Sequence, residues 1–197
     1  MPTAKRKTNS RERILDAAYE LFFQQGYQAT SVDQIVAKAG VTKPTVYAHF
    51  PDKETLCVEY LKERRRRVIR DQRAAIRDSG TAEKRFVATI EYVRDGMLAY
   101  DYRGCGFFNL VAEIPDPENP VVLEAKDFVE RFRDEIREAT LDLRDSDPKY
   151  AEIDVERVTD SYYLIVCGAI MASQELRQPW PLDRAVDDVE RLLASLA

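Results

Sequence analysis

Residues 30–53, TSVDQIVAKAGVTKPTVYAHFPDK, predict two short helices joined by a turn, followed at once by the start of a third. Four apolar residues recur at the spacing of one helix face: Val32, Ile35, Val36 and Ala39. Gly40 supplies the left-handed residue that commonly ends a helix, and Thr42 is suited to cap the next one. In that helix Val46 and Phe50 are expected to point inward. The outer face is then a mixture of cationic, small and aromatic side chains that suits a DNA groove, namely Lys43, Pro44, Thr45, Tyr47 and His49.

The composition favours an all-α fold. The 197 residues include only seven glycines, and 33% of them are charged, mostly on long side chains that favour helices. The three cysteines, Cys57, Cys105 and Cys167, are too few and too scattered for a disulfide framework, which indicates a reducing compartment. The sequence shows neither a signal-peptide pattern nor the roughly 18 uninterrupted apolar residues of a membrane span. We therefore expect a cytoplasmic protein that is not inserted in a membrane.

The net charge of −5 conceals an uneven distribution along the chain. Residues 1–70 carry 14 Lys and Arg against 8 Asp and Glu, a net +6, whereas residues 71–197 carry 16 against 27, a net −11. A basic amino-terminal third joined to an acidic remainder favours a polyanion at one end only. Solvated helix surfaces would give the same distribution, so charge supports DNA binding only together with the helix-turn-helix pattern.

The hydrophobic pattern predicts about nine helices in two domains. The first helix runs from a cap at Asn9 or Ser10 to Gln25. The others are predicted over the two short segments above and over about 53–77, 82–100, 106–114, 121–142 and 155–177, with a last helix that follows QPWPLD and ends at Ser195. We predict a three-helix helix-turn-helix domain at 1–52 and a helical-bundle domain at 53–197, in which a long linking helix occupies about 53–78.

An enzyme is not supported by the residues present. The chain has one histidine, His49, and it falls on the outer face of the predicted groove-reading helix. A Ser-His-Asp or Cys-His arrangement therefore cannot be assembled elsewhere. Neither a cluster with zinc-ligand spacing nor a glycine-rich phosphate loop is found. We predict no catalytic residues, no metal and no cofactor.

The run GYQATSVDQIVAKAGVTKPTVYAHFPDKETL resembles the amino-terminal domain of the TetR family of bacterial transcriptional repressors. The resemblance covers Ser10 to about Tyr60, and the helical remainder has the length and layout of that family's effector-binding and dimerisation domain. It implies a homodimeric repressor that binds a palindromic operator and is released by a small-molecule effector. The alternatives are an activator or a DNA-organising dimer, and a small-molecule-binding or thiol-sensing protein in which DNA binding is secondary.

The resemblance also implies a set of DNA-binding residues. Thr30 or Ser31 would bond a phosphate while capping the second helix, where Ser31 and Gln34 form a capping box. Since Pro44 has no amide donor and can offer only apolar contact, Lys43 and Thr45 would carry most of the hydrogen-bonded readout. The full set is Thr30, Ser31, Thr42, Lys43, Pro44, Thr45, Tyr47, His49 and Lys53. The simpler alternatives are that the hydroxyl residues only cap helices and that Tyr47 is core. The basic residues 5–7, KRK, would form an arm that adds DNA affinity or remain disordered.

The segment RGCGFFNLVAEIPDPENP, residues 103–120, resembles one that borders the effector cavity in a subset of TetR-like regulators. The implied pocket is mostly apolar with a few orienting polar groups. Its predicted residues are Cys105, Phe108, Asn109, Ala112, Glu113, Tyr163 and Cys167. Alternatively, Cys105 and Phe108 are ordinary core, while Asn109 and Glu113 bond backbone groups of an adjacent loop. Redox sensing by Cys105 or Cys167 is a further alternative.

The last two helices are the predicted homodimer interface, by the same resemblance. The first apolar stripe consists of Val155, Val158, Tyr162, Ile165 and Ala169, and the second of Val186, Val189, Leu193 and Leu196. Small residues permit a close approach of helices in this region: Gly168, Ala169, Ala172 and Ser173. Stripes of this kind also form intramolecular cores, so the pattern alone does not establish a dimer. Trp180 is expected to be buried at the turn between the two helices.

Overall fold

The computed structural model describes residues 9–197, and over that range the chain is all-helical, as predicted. The basic residues 5–7 lie outside the described residues. The described range contains nine α-helices, a 3₁₀ turn at Pro148–Tyr150, and no strand. The helices are α1 (Ser10–Gln25), α2 (Val32–Ala39), α3 (Lys43–His49), α4 (Lys53–Arg77), α5 (Ala82–Ala99), α6 (Gly106–Glu113), α7 (Pro120–Ser146), α8 (Val155–Leu176) and α9 (Trp180–Ala194). Over the described range, none of these helices combines the length and apolarity needed to span a membrane.

The ends of α1, α2 and α3 follow from neighbouring side chains. Asn9 and Ser31 each form a capping box, the first with Glu12 and the second with Gln34. Thr42 caps α3 by accepting a hydrogen bond from the Thr45 amide. Gly40 ends α2 in the left-handed conformation, with φ 62°. The predicted caps of all three helices are thereby confirmed.

The chain divides into two compact units whose limits do not follow the predicted boundary at residue 52. The first unit consists of residues up to Arg65 together with residues 106–126, and the second of residues 66–105 and 127–197. The first half of α4 belongs to the first unit because its apolar face is buried there. Tyr60 is 1% exposed, and its ring lies 5.5 Å from the ring centroids of both Tyr19 and Phe22 of α1.

The polar segment of α4 is not wholly exposed. Arg64 is only 8% exposed, although it begins a run of four arginines. Its guanidinium lies 4.3 Å from the ring centroid of Phe23, and its Nη1 donates to the Tyr19 hydroxyl at 3.0 Å. Cation–π contact and this hydrogen bond offset part of the desolvation of the charge, which cannot be neutralised at physiological pH.

The fully buried Tyr162 joins two helices of the second unit. Tyr162 of α8 donates to the Phe86 carbonyl oxygen at 2.8 Å and accepts from the Ile90 amide at 3.0 Å. Its ring also packs on Phe86, with the centroids 4.9 Å apart. Because a hydroxyl inserted here bonds groups one turn apart on α5, it fixes α8 against α5 both laterally and along the axis.

Three expectations for α8 and α9 were wrong. α9 begins within QPWPLD, at Trp180, because prolines are tolerated in the first turn, where amides have no helical partner. Trp180 is 57% exposed and is not a core residue. The α8 stripe predicted for dimerisation is mainly internal, since Val158, Tyr162 and Ala169 are buried in the second unit. A neighbouring face is exposed instead, formed by Leu164, Gly168 and Met171.

Candidate nucleic-acid interface

Two buried side chains hold α3 in place. Val46 is 2% exposed and Phe50 1%. The Arg11 guanidinium of α1 lies 5.3 Å from the centroid of the Phe50 ring. Arg13, also on α1, donates from Nη2 to the Gly40 carbonyl oxygen at 2.6 Å. The inward face of α3 and the turn that precedes it are therefore both fixed by α1.

The remaining surface of α3 carries the predicted contact residues. Lys43, Pro44, Tyr47 and His49 are exposed, and Thr45 is half-buried. Tyr47 is 44% exposed, so it does not belong to the core. A rigidly held helix with this exposed surface has the form needed to enter a major groove. The contacts of individual side chains with DNA remain predictions.

The hydroxyl groups at the start of α3 bond each other. The Thr42 and Thr45 oxygens are 2.7 Å apart, and the Thr45 amide donates to Thr42 Oγ1 at 3.4 Å. This arrangement orders the first turn of α3. Since a hydroxyl oxygen has two lone pairs and one rotatable hydrogen, both side chains retain some hydrogen-bonding capacity for a ligand.

Two further residues, which the sequence pattern did not single out, contact the ends of α3. Asp33 Oδ1 lies 2.9 Å from Lys43 Nζ at the amino-terminal end of the helix. Ser10 Oγ lies 2.7 Å from His49 Nε2 at the carboxy-terminal end. Hydrogen bonding to Asp33 raises the pKa of Lys43, so the lysine is cationic at neutral pH. Ser10 is 39 residues from His49 in sequence, a separation across which no periodic pattern predicts contact.

Thr30 is not placed to meet a phosphate. It is 1% exposed, and its hydroxyl donates to the Gly26 carbonyl oxygen at 2.6 Å. Ser31, the next residue, is exposed and caps α2. The assignment of Thr30 to the DNA surface is thus corrected, and Ser31 is the one of the two that remains available there.

Lys53 is occupied within the first unit. Its ammonium donates to the carbonyl oxygens of Tyr27 and Thr30, at 3.0 and 3.1 Å, and lies 4.2 Å from the centroid of the Tyr27 ring. Burial raises the pKa of Tyr27 to about 12, so the phenol is neutral. Lys53 therefore holds the α1–α2 loop, and a phosphate contact would have to share its donors with these carbonyl groups.

Glu113, at the end of α6, also contacts the α1–α2 loop. Its Oε2 accepts from the Gln28 amide at 2.8 Å. A Cβ atom at Gly26 would overlap Glu113 Oε1, and Gly26 has a φ of 92°. The positive φ favours glycine at this position, and a larger residue would also have to displace the Glu113 carboxylate. This contact with a loop amide is the kind proposed above as the alternative to a pocket role for Glu113.

The other predicted effector residues are distributed between the two units. Phe108 and Asn109, half-buried, and Ala112, exposed, lie with Glu113 in the first unit. The second unit contains Cys105, Tyr163 and Cys167, all half-buried. Whether the set lines one pocket remains a prediction.

Two of the three thiols, those of Cys57 and Cys167, favour the protonated form. Burial raises the pKa of Cys57 and, less completely, that of Cys167. The Tyr163 hydroxyl hydrogen-bonds Cys167 and partly opposes the effect on that thiol. Since the thiolate is the nucleophile in thiol chemistry, neither group is activated for redox sensing at neutral pH.

Two open clefts occur within the second unit. One, of about 440 Å³, lies beside the start of α8 and the end of α9 and includes Lys149, Arg157 and Leu196. The other, of about 500 Å³, includes Lys84, Glu91 and Glu190. None of the predicted effector residues lines either cleft. Among residues 9–197, no group of three or more His, Cys, Asp or Glu side chains is placed to hold a metal ion.

The first three helices pack around buried side chains and leave one side of the short, capped third helix exposed. This arrangement is that of a DNA-binding helix-turn-helix protein. Residues 14–60 match the family model described as bacterial regulatory proteins, tetR family. The crystal structure of SCO4454, a TetR-family transcriptional regulator from Streptomyces coelicolor, superposes with a TM-score of 0.85 at 28% identity, covering 98% of this chain and 92% of that one. The amino-terminal domain of the chain thus belongs to the TetR family, and the chain as a whole has the fold of a TetR-family transcriptional regulator.

Curated relatives match mainly in the amino-terminal region. The transcriptional activator FasR of Mycolicibacterium smegmatis (strain ATCC 700084 / mc(2)155) is 33% identical over 94 residues, which are 48% of this chain and 42% of the relative. The transcriptional repressor ComR of Escherichia coli (strain K12) is 46% identical over 50 residues, or 25% of this chain and 24% of the relative. The chain thus spans less than half the length of either relative. The prediction of a regulator rather than an enzyme is confirmed.

Proposed function

We propose that this protein is a homodimeric repressor that binds a palindromic DNA operator through α3 and is released from it by a small-molecule effector. The observation that carries the proposal is the exposed surface of α3, whose position is fixed by buried Val46 and Phe50. Lys43 and Thr45 supply hydrogen-bonding groups there, and Pro44 supplies an apolar one. With Ser31 at the start of α2, the arrangement offers both base-reading and phosphate-binding groups.

A symmetric dimer is supported by the exposed apolar surface of α8. Leu164 is 68% exposed and Met171 64%, and Gly168 lies between them on the same helix face. Exposed large apolar side chains beside a glycine favour close packing against another helix, and a two-fold interface would bury each residue against the partner's copy of this face. Trp180, at the start of α9, is 57% exposed and would add to the buried area.

The effector response would depend on α4 and α6. α4 is one continuous helix with residues in both units. A displacement of its second half would therefore also displace its first half, which packs on α1 of the helix-turn-helix. α6 carries Phe108 and Asn109 and ends at Glu113, which bonds the α1–α2 loop. A ligand that favours another position of α6 would act on that loop, and its effect would equal its difference in affinity for the two states.

The helix-turn-helix region does not determine whether a regulator of this kind activates or represses. One relative is named as an activator and another as a repressor, although both match the helix-turn-helix region. That region determines where a regulator binds, whereas activation or repression depends on where the site lies relative to a promoter. We retain repression because an effector that dissociates the protein from DNA requires no contact with the transcription machinery.

Selection of bound DNA from a random pool tests the proposal. Wild-type protein should enrich one palindrome whose half-sites are about one helical turn, roughly 34–36 Å, apart. Lys43→Ala should abolish this enrichment while the dimer stays intact in solution. Lys126→Ala, which removes one positive charge from an exposed position on α7, is the matched control and should bind as wild type.

Two results would overturn parts of the proposal. Enrichment of no discrete sequence by the wild-type protein would reject the regulator, and retention of binding by Lys43→Ala would reject α3 as the reading helix. Compounds that copurify with the protein can then be added to the selected DNA complex. Failure of every such compound to release DNA, under conditions in which the compounds bind the protein, would reject effector release.

A further inference from the structure

Lys43 forms an ion pair with the acidic side chain of Asp33. Its Nζ lies 2.9 Å from Oδ1 of Asp33, which is in the first turn of α2. Both side chains are open to solvent, since 49% of the Lys43 side chain and 74% of the Asp33 side chain are exposed. An ion pair this exposed contributes little to stability. The charge of Asp33 is favourable in the first turn of α2, but its pairing with Lys43 adds little to folding.

A carboxylate at this position opposes DNA binding in general. Phosphate oxygens repel it, and non-specific DNA affinity comes almost entirely from cations that neutralise phosphates. Asp33 also competes for the ammonium of Lys43, which would otherwise contact any phosphate within reach. The pair consequently lowers affinity for arbitrary sequences, and the loss is recovered only where DNA offers a donor to Asp33 and an acceptor to Lys43.

The G·C base pair offers both groups at the required spacing, with a second acceptor beside the first. In the major groove, guanine presents O6 and N7 as acceptors, and its partner cytosine presents the N4 amino group as a donor. O6 and N4 are hydrogen-bonded to each other and are thus about 2.7–3.2 Å apart. The Lys43 donor and the Asp33 acceptor are separated by 2.9 Å. Two adjacent groups on the protein therefore match two adjacent groups on the base pair in both polarity and distance.

We propose that Asp33 and Lys43 act together as a specificity-determining pair that reads one G·C base pair, with Lys43 donating to guanine O6 and N7 and Asp33 accepting from cytosine N4. This inference rests on the proposed function, because it requires α3 to enter the major groove. Asp33 is then a contact residue that the helix-turn-helix pattern does not identify, since it belongs to the preceding helix.

The same geometry ranks the four base pairs at this position. T·A, with thymine beneath Lys43, keeps the order of acceptor and donor, but it replaces the second acceptor N7 by an apolar methyl group. C·G and A·T reverse the order, so that the ammonium meets an amino group and the carboxylate meets an acceptor oxygen, and only the N7 acceptor is kept in A·T. The expected preference is G·C first, T·A second, and the two reversed pairs last.

A panel of single base-pair changes in the selected operator, made symmetrically in both half-sites, tests the ranking. For the wild-type protein, G·C should exceed the reversed C·G pair at one position by about 5- to 100-fold in affinity per half-site. Asp33→Ala should lower this ratio without abolishing it, because Lys43 still donates to guanine O6 and N7. The variant should also bind random DNA more tightly than wild type because the repulsive charge is gone.

Glu20→Gln is the matched control. Glu20 of α1 pairs with Lys38 of α2 at 2.5 Å, so this variant also removes one acid from a lysine ion pair of the first unit. It should leave the ranking of base pairs unchanged at every position. A comparison of the two variants separates the loss of the Asp33 contact from a general change in charge.

The outcomes distinguish this inference from the function on which it rests. If wild-type protein selects no discrete sequence, the proposed function fails. If it selects one but Asp33→Ala keeps the affinity ratio between G·C and C·G at every position, Asp33 does not read a base and the inference fails. A uniform gain in affinity of Asp33→Ala for all sequences, with unchanged ratios, would show that Asp33 only repels phosphates and would equally overturn it.

Discussion

The short helices of the first unit are started by side chains adjacent to them in sequence, whereas the long helices of the second unit are held by side chains from distant helices. Asn9, Ser31 and Thr42 cap the first three helices, each by bonding an amide three residues ahead. In the second unit, Tyr162 bonds Phe86 and Ile90, more than 70 residues away. The second unit also has local caps, at Thr81 for α5 and Asp154 for α8, but the long-range contact of Tyr162 is what joins its helices.

This difference suits the parts that the units play in the proposed mechanism. A reading helix must keep one geometry so that its side chains meet the base edges in register, and local caps fix that geometry without help from the second unit. A unit whose helices are fixed by a few long-range bonds can adopt another packing when a ligand supplies replacement contacts. Variants in each unit test this contrast between local caps and long-range contacts.

The largest effect is expected for Phe50→Ala in the first unit. Phe50 is 1% exposed, and truncation of a buried phenylalanine leaves a cavity, so the free energy of unfolding should fall by about 3–5 kcal/mol. Chemical denaturation measures the loss. Tyr47→Ala, three residues earlier and exposed, should change stability by less than about 0.5 kcal/mol while it weakens DNA binding. Equal losses in the two variants would contradict the separation of inward and outward faces on α3.

Tyr162→Phe should have the next largest effect. The change deletes one hydroxyl and leaves the Ile90 amide and the Phe86 carbonyl without that partner, at a cost of about 1–3 kcal/mol in unfolding free energy. Tyr163→Phe alters the adjacent, half-buried tyrosine and should cost less. Thermal and chemical denaturation of both variants provide the comparison. If Tyr162→Phe is as stable as wild type, α5 closes its own hydrogen bonds, and the second unit does not depend on this long-range contact.

Glu113→Gln examines an exception to the contrast, because Glu113 makes a long-range contact inside the first unit. The variant keeps the size of the side chain but removes the charge that strengthens the bond from the Gln28 amide. The free energy of unfolding should fall by about 1 kcal/mol. Glu118→Gln, an exposed control in the loop after α6, should have no effect. An unchanged stability of Glu113→Gln would indicate that local caps alone hold the α1–α2 loop.

The elements that could be predicted from sequence are those whose determinants are close together along the chain. The caps at Ser31 and Thr42 and the left-handed Gly40 each involve groups within about four residues, so the limits of α2 and α3 followed from local chemistry. The exposed surface of α3 followed in turn, because Val46 and Phe50 identify the face turned inward. In this way most of the candidate DNA surface could be anticipated.

The features that could not be predicted depend on contacts between residues far apart in sequence. Thr30 is buried because its hydroxyl bonds Gly26 and its carbonyl accepts from Lys53, and apolar periodicity encodes neither contact. The apolar pattern of α8 is compatible with several faces, and only the positions of α5 and α9 determine that Tyr162 is buried and Leu164 is exposed. The Lys43–Asp33 pair joins two helices through a turn, and its geometry required the structure.

The smallest effect is expected for Asp52→Ala, which removes a local cap and whose consequence should depend on pH. Asp52 Oδ1 accepts from the Thr55 amide at 2.6 Å, and this hydrogen bond lowers the pKa of the carboxyl. Because the folded state lowers that pKa, the cap stabilises above the ordinary aspartate pKa, and its contribution is lost as pH falls through the lowered value. The variant should lose about 0.5–1 kcal/mol of unfolding free energy at pH 7. The difference from wild type should shrink as the pH is reduced below about 4 and the wild-type carboxyl becomes protonated. Denaturation curves for both proteins between pH 7 and pH 3 measure this difference in unfolding free energy. A difference that stays constant over this range would show that the charge of Asp52 does not contribute to the cap.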